Sequence, residues 1–128
     1  MPQEPLAIEH EAAFVRAFII RERRERYLSQ LALPKKRAKL LDRINHRFDK
    51  DLDHRWISES QPTSVPIANH SCYIIAAERD YDGRIVSARE VPEILSAAFF
   101  GIVVSCVPGK LACFKGESPS DVIWLERG

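Results

Sequence analysis

Apolar residues recur at helical spacing through the first half of this chain and at strand spacing through the second. Ala13, Phe14, Ala17 and Phe18 share one face of a helix that the pattern starts near Glu9, after a loose, proline-containing lead over residues 1–8. Glu9 and Glu11 then fall in the first turn, where carboxylates suit the positive end of the helix dipole. Extending the Phe14/Phe18 stripe would bury Arg21 and Glu25, so the pattern predicts a break at Ile19–Arg21 and a new short helix carrying Tyr27, Leu28 and Leu31. Pro34 ends that helix and opens the next, because proline restricts the residue before it and lacks the donor that a first turn leaves unused. The helix from Pro34 has three stripes. Leu41, Ile44, Phe48 and Leu52 form the apolar one; Lys36, Lys39, Arg43, Arg47 and Lys50 form the opposite, basic one; Asp42, His46, Asp49 and Asp53 lie between.

From residue 72 the pattern changes. Cys72–Ala77 reads as a strand, Asp80–Gly83 as a turn and Arg84–Ser87 as a short return. Val91, Ile94, Leu95, Ala98 and Phe99 make a short amphipathic helix with Pro92 in its first turn and Gly101 as its expected C-cap. Ile102–Val107 and Lys110–Lys115 flank Pro108-Gly109, a pair suited to a type II turn, in a register that sets Cys106 against Leu111 and Val104 against Cys113. Val122–Leu125 closes the chain as an unbroken apolar strand, buried on both faces or part of an interface. The expected fold is α+β: two or three N-terminal helices packed on a mainly antiparallel C-terminal sheet of about four to five strands, with one short inserted helix. Residues 1–128 are expected to form a single domain, with a basic helical half over 1–57, a loop over 58–71 and a β-rich half over 72–127.

Charge sharpens this division. The chain of 128 residues has a formal net charge of +1. Residues 1–58 hold 13 Lys and Arg against 9 Asp and Glu, whereas residues 59–128 hold 6 against 9. The window 16–47 concentrates the excess, with 11 basic and 3 acidic residues. Such a face attracts phosphates or an acidic protein, although a solvated helix face would carry the same residues. Cys72, Cys106 and Cys113 are odd in number and sit in apolar stretches. They read as reduced core residues of a cytosolic protein, and the chain has the look of a small bacterial one. The start of the chain lacks a basic region followed by an apolar run, so no signal peptide is expected. The most apolar window, Ile94–Val107, is shorter than a membrane helix requires and is split by Gly101.

The densest chemistry lies in residues 45–56. Asp49, Asp51 and Asp53 match the opening of a calcium loop, but His54 stands where the sharp turn needs Gly and Ser60 where the ion needs a closing Glu. A transition metal held by His46, Asp49 and Asp53 is a weaker-rule alternative, without an H-E-x-x-H or C-x-x-C motif behind it. His70 and Cys72 are close in sequence, yet Cys72 enters a strand, which argues against a Cys–His pair. No Walker, Rossmann or nucleophile-elbow pattern is present. The residues from Arg21 to Arg47 form two basic helical segments joined by Leu31-Ala32-Leu33-Pro34, suited to phosphate contact, with Arg43, Asn45 and Arg47 available to base edges.

The expected function is therefore a non-enzymatic binding or regulatory protein. It would present Arg23, Arg26, Lys36, Lys39, Arg43, Arg47 and Lys50 to an acidic protein or nucleic acid, with Trp56 as a contact or a cap on the core. No cofactor and no membrane are expected, and Val122–Leu125 at a sheet edge would support a homodimer. The alternative is a small metal-assisted hydrolase using His46, Asp49, Asp53 and His54.

Overall fold

The structure, a computed structural model, describes residues 5–46, 48–58, 71–98, 100–116 and 122–127, with residues 5–8, 44–46 and 49 described in their backbone only. Helix α1 (Pro5–Phe18) is followed by α2 (Arg21–Leu31), α3 (Pro34–His46) and the single turn α4 (Phe48–Asp51). A 3₁₀ turn at His54–Trp56 leads into β1 (Ile57–Ser58). Then come β2 (Ser71–Ala76), β3 (Ile85–Ser87), a 3₁₀ turn at Ala88–Glu90 running into α5 (Val91–Ala97), β4 (Ile102–Val107), β5 (Leu111–Lys115) and β6 (Ile123–Glu126). The strands form one antiparallel sheet in the order β1-β6-β5-β4-β2-β3. This is the expected α+β architecture with one strand more than foreseen.

The break after Phe18 is as expected, and the backbone explains it. Ile19 forms a bridge with Leu52, the Ile20 N–H donates to the Asp51 carbonyl at 2.8 Å, and the Asp53 N–H donates to the Phe18 carbonyl at 2.7 Å. The α1–α2 junction is thus stitched to the chain that follows α4. The start of α1 differs from expectation. It begins at Pro5, a residue favoured in a first helical turn. Glu9 and Glu11 therefore lie beyond the first turn, and Glu11 faces the core at 4 % exposure.

Both faces of the sheet are covered. Tyr73, Ile75, Val103, Ala112, Phe114 and Leu125 pack against the N-terminal helices through Phe14, Phe18, Tyr27, Leu40, Leu41, Phe48 and Leu52. Cys72, Ile74, Val104, Cys106 and Cys113 face the other way, under Val91 and Leu95 of α5. All three cysteines are free thiols and buried.

Four expectations of local structure are corrected. The C-cap of α5 is Ala98 in extended conformation, not Gly101, whose carbonyl instead accepts from the Ala77 N–H at 3.1 Å. Val104 does oppose Cys113, but the register shifts between Ser105 and Val107, so Leu111 pairs with Val107 rather than Cys106. Cys106 is the extra residue of a bulge, and it and Val107 both pack with the α5-side cluster. Ser58 and Ser71 belong to β1 and β2; the rest of the expected loop, residues 59–70, lies outside the described residues. Finally, the last strand is not an edge. β6 pairs with β5 on one side and with β1 on the other, through Ile57 opposite Leu125 and Ser58 opposite Trp124. The 57-residue helical half thereby lends a strand to the sheet, which its charge pattern does not announce.

Candidate anion-binding cleft

A two-residue connection, Ala32-Leu33, folds α3 back along α2 as a helical hairpin. On α2, Arg23, Arg26, Tyr27 and Gln30 follow the three-and-four spacing of one helix face. On α3, Lys39, Leu40, Asp42 and Arg43 meet them. These eight residues line a cleft of about 330 Å³. Its floor is made by Tyr27 and Leu40, which are buried, while Arg26, Lys39 and Asp42 stand exposed at the rim. Four cations thus converge on one small concavity.

Two of these cations face one carboxylate behind the cleft, and Arg43 is held by it. Asp51, at 2 % exposure, accepts from Arg43 Nε at 2.5 Å and Nη2 at 3.2 Å, from the Tyr27 hydroxyl at 2.5 Å, and lies 3.6 Å from Arg23 Nε. An isolated buried carboxylate is costly, and only such a set of donors makes its charge tolerable. Burial pushes the Asp51 pKa up, but the Arg43 and Tyr27 hydrogen bonds and the nearby guanidiniums outweigh it and hold the carboxyl below its ordinary value. In turn, the hydrogen bond to Asp51 raises Arg43 above its ordinary value. Burial followed by the bond to Asp51 raises the Tyr27 phenol, which stays protonated. Arg43 has five N–H donors and gives Nε and Nη2 to Asp51, so its fork is fixed in orientation with donors left over.

Those other expected site residues whose side chains are described do not join this cleft. Lys36 and Lys50 are exposed but do not line it. The side chains of His46, Arg47 and Asp49 lie outside the described residues. Asp53 turns both oxygens to Arg55, at 3.0 Å and 2.7 Å, and caps the following 3₁₀ turn through the Arg55 N–H. That hydrogen bonding lowers its pKa. His54 is exposed. Among the described residues, no group of three or more His, Cys, Asp or Glu is arranged to hold a metal ion. Trp56 sits elsewhere, half-buried against the helix-side core, with the Arg127 guanidinium 4.6 Å and that of Arg55 5.5 Å from its ring centroid. Among the described residues its Nε1 finds no acceptor.

Asp51 escaped the sequence reading because its partners are 8, 24 and 28 residues away and no short-range pattern joins them. A second network escaped for the same reason. Glu11 accepts from the Tyr73 hydroxyl at 2.5 Å and from Arg37 at 2.8 Å, and Arg37 is bidentate to Asp82 with both bonds at 2.9 Å. Burial works against the Arg37 charge, but its bonds to Asp82 and Glu11 prevail and raise its pKa. His10 bonds the Ser105 hydroxyl at 2.8 Å and stacks on Tyr73 with centroids 5.7 Å apart. A His–Ser contact has the makings of a nucleophile and its base, but both residues are buried between α1 and the sheet, where no substrate reaches them. This network ties α1 and α3 to the sheet and to the turn before β3.

Comparison with known proteins places no other chain beside this one: no family model matches it, and no curated protein or solved structure matches it.

Proposed function

We propose that this chain is a non-enzymatic binding or regulatory protein that presents the α2–α3 hairpin to an acidic partner, protein or nucleic acid. The observation that supports this reading is the convergence of Arg23, Arg26, Lys39 and Arg43 on one cleft, with Arg43 oriented by a buried carboxylate. Preorganised arginines lose less freedom on binding than mobile ones, and a concave wall concentrates their field. Exposed Lys35, Lys36 and Lys50 broaden the positive surface around it. A polyanion contacted this way dissociates as salt rises, because binding releases condensed counterions. Retention on immobilised heparin tests the reading. Elution is expected well above that of a neutral protein and is expected to fall for K36E/K39E; a wild-type chain that passes through at low salt would refute it. A second copy of the chain is a partner within this proposal at a sheet edge, and at the β3 edge Ile85 is 41 % exposed. Sedimentation of the same preparations, with Ile85→Lys as control, reads that contact. Of the residues of the metal-assisted alternative, Asp53 is committed to Arg55, and the side chains of His46 and Asp49 lie outside the described residues.

A further inference from the structure

We infer that the α2–α3 cleft is a site for a phosphate group, and that Arg23, Arg26, Lys39 and Arg43 are its ligands. This rests on the reading of the hairpin as an acidic partner's docking face and says which chemistry that face selects. Charge balance comes first. Among the described residues, four cations set against the carboxylates of Asp42 at the rim and Asp51 behind leave a surplus of two positive charges. A single side-chain carboxylate brings one negative charge, whereas a phosphomonoester brings about −1.5 to −2 near neutral pH and three acceptor oxygens. Geometry comes second. Arg43 is locked by a two-pronged contact to Asp51, so its guanidinium is fixed before any ligand arrives, while Arg23 is drawn toward the same carboxylate without a hydrogen bond to it. A fixed fork meets two oxygens of a tetrahedral phosphate as well as it meets a carboxylate, so it serves a phosphate and the charge surplus selects one. Among the described residues, Arg26 and Lys39 form no ion pair, so they are the two cations able to close on the ligand from the rim.

Size and lining come third. At about 330 Å³ the cleft stands at the lower end of small-molecule sites, room for a phosphorylated group and little more. Its apolar lining is Leu40 and the ring of Tyr27, and Tyr27 is buried with its hydroxyl on Asp51, so no exposed aromatic offers a base a stacking platform. The ligand is therefore read through its phosphate, whether that phosphate belongs to a small phosphomonoester or to the end of a nucleic acid.

Calorimetric titration of the whole chain with inorganic pyrophosphate at low salt tests this. Binding is expected for the wild type, a loss of at least about tenfold for R26A/K39A, as one or two charge-assisted contacts imply, and no change for R79A/K110A, which removes equal charge from exposed positions outside the hairpin. Equal weakening by both double variants would overturn the site, as would binding that neither affects. If pyrophosphate does not bind while heparin still retains the chain, the phosphate site falls and the broader reading stands; if neither binds, both fall. Circular dichroism of each variant confirms the fold, and both pairs of substituted side chains are exposed, so loss of folding does not confuse the result. Adenosine monophosphate, and an end-phosphorylated RNA oligonucleotide against the same oligonucleotide with a terminal hydroxyl, assign the source. Preference for the phosphorylated RNA end points to nucleic acid, equal or better binding of the mononucleotide points to a small phosphomonoester, and both outcomes support the site.

Discussion

Asp51 shows how much one side chain decides here. It is a charge at 2 % exposure whose oxygens gather donors from α2 and α3 while its own backbone carbonyl accepts from Ile20. Removing one member of a buried charge set leaves the others uncompensated, a loss of about 3–5 kcal/mol. Asp51→Asn is expected to destabilise the protein by that order in urea unfolding, and a change no larger than that of a surface substitution would show that Arg43 and Arg23 do not depend on it. The acid limb follows from the same contacts. The folded pKa of Asp51 lies below its unfolded value, with Asp53 shifted in the same direction by Arg55. An unfolded Asp titrates near about 3.9. The stabilisation is thus complete above that pH and is lost as pH falls through the lower folded values, where the unfolded chain binds more protons. Stability measured from pH 6 downwards should fall off below about pH 4, and Asp51→Asn should flatten that fall.

At the scale of elements, local signals and long-range ones divide cleanly. Pro34, the turn at Pro108-Gly109 and the break after Phe18 were legible because each is written in a few neighbouring residues. The Val107 carbonyl accepts from the Lys110 N–H at 2.9 Å, and Gly109 has φ +72°, as the third position of a type II turn requires. A Cβ there would meet Ala13 at 3.7 Å, an ordinary contact, so the cost of Gly109→Ala is conformational rather than steric. It is expected at about 1–2 kcal/mol by thermal or urea unfolding; a neutral result would mean that the hairpin relaxes at no cost. The bulge at Cys106 was not legible, since the expected register and the observed one differ only in which residue of the strand goes unpaired. The basic stripe of the Pro34 helix was legible as a stripe. That Arg43 within it holds a buried aspartate, while Lys39 beside it stays exposed, was not.

For the molecule as a whole, the sheet is buried on both faces. The helices cover one face, and the short α5 with the turn before it covers Cys72, Cys106 and Cys113 on the other. Burial pushes the Cys113 thiol up to about 12, and the hydrogen bond to Cys72, then burial, raise Cys106. Both are therefore protonated and inert at neutral pH. The hydrogen bond with Cys106 lowers the Cys72 pKa, but full burial shields that thiol, so a chromogenic thiol reagent is expected to find no fast-reacting cysteine in the native protein and all three after denaturation. One thiol reacting natively at the rate of a free peptide would show that α5 opens apart from the rest of the fold. Among the described residues no helix is long and apolar enough to cross a membrane.

The order of elements, the helix-rich start, the sheet-rich end and the gathering of positive charge before residue 48 all follow from the sequence alone, because periodicity, proline and charge are properties of neighbours. Which of those charges meet does not. Arg23, Arg26, Lys39 and Arg43 belong to one stretch of basic residues that also holds Lys35, Lys36 and Arg37. Only the return of α3 along α2 brings the first four around one cleft, and it sends Arg37 to Glu11 and Asp82 instead. The same holds for Asp51 among its neighbouring aspartates. Asp53 turns to the adjacent Arg55, whereas Asp51 is carried under the hairpin by a backbone pairing between Ile19 and Leu52. Burial and the choice of partner are set by tertiary packing, and a carboxylate surrounded by guanidiniums is a different chemical object from the same carboxylate in water.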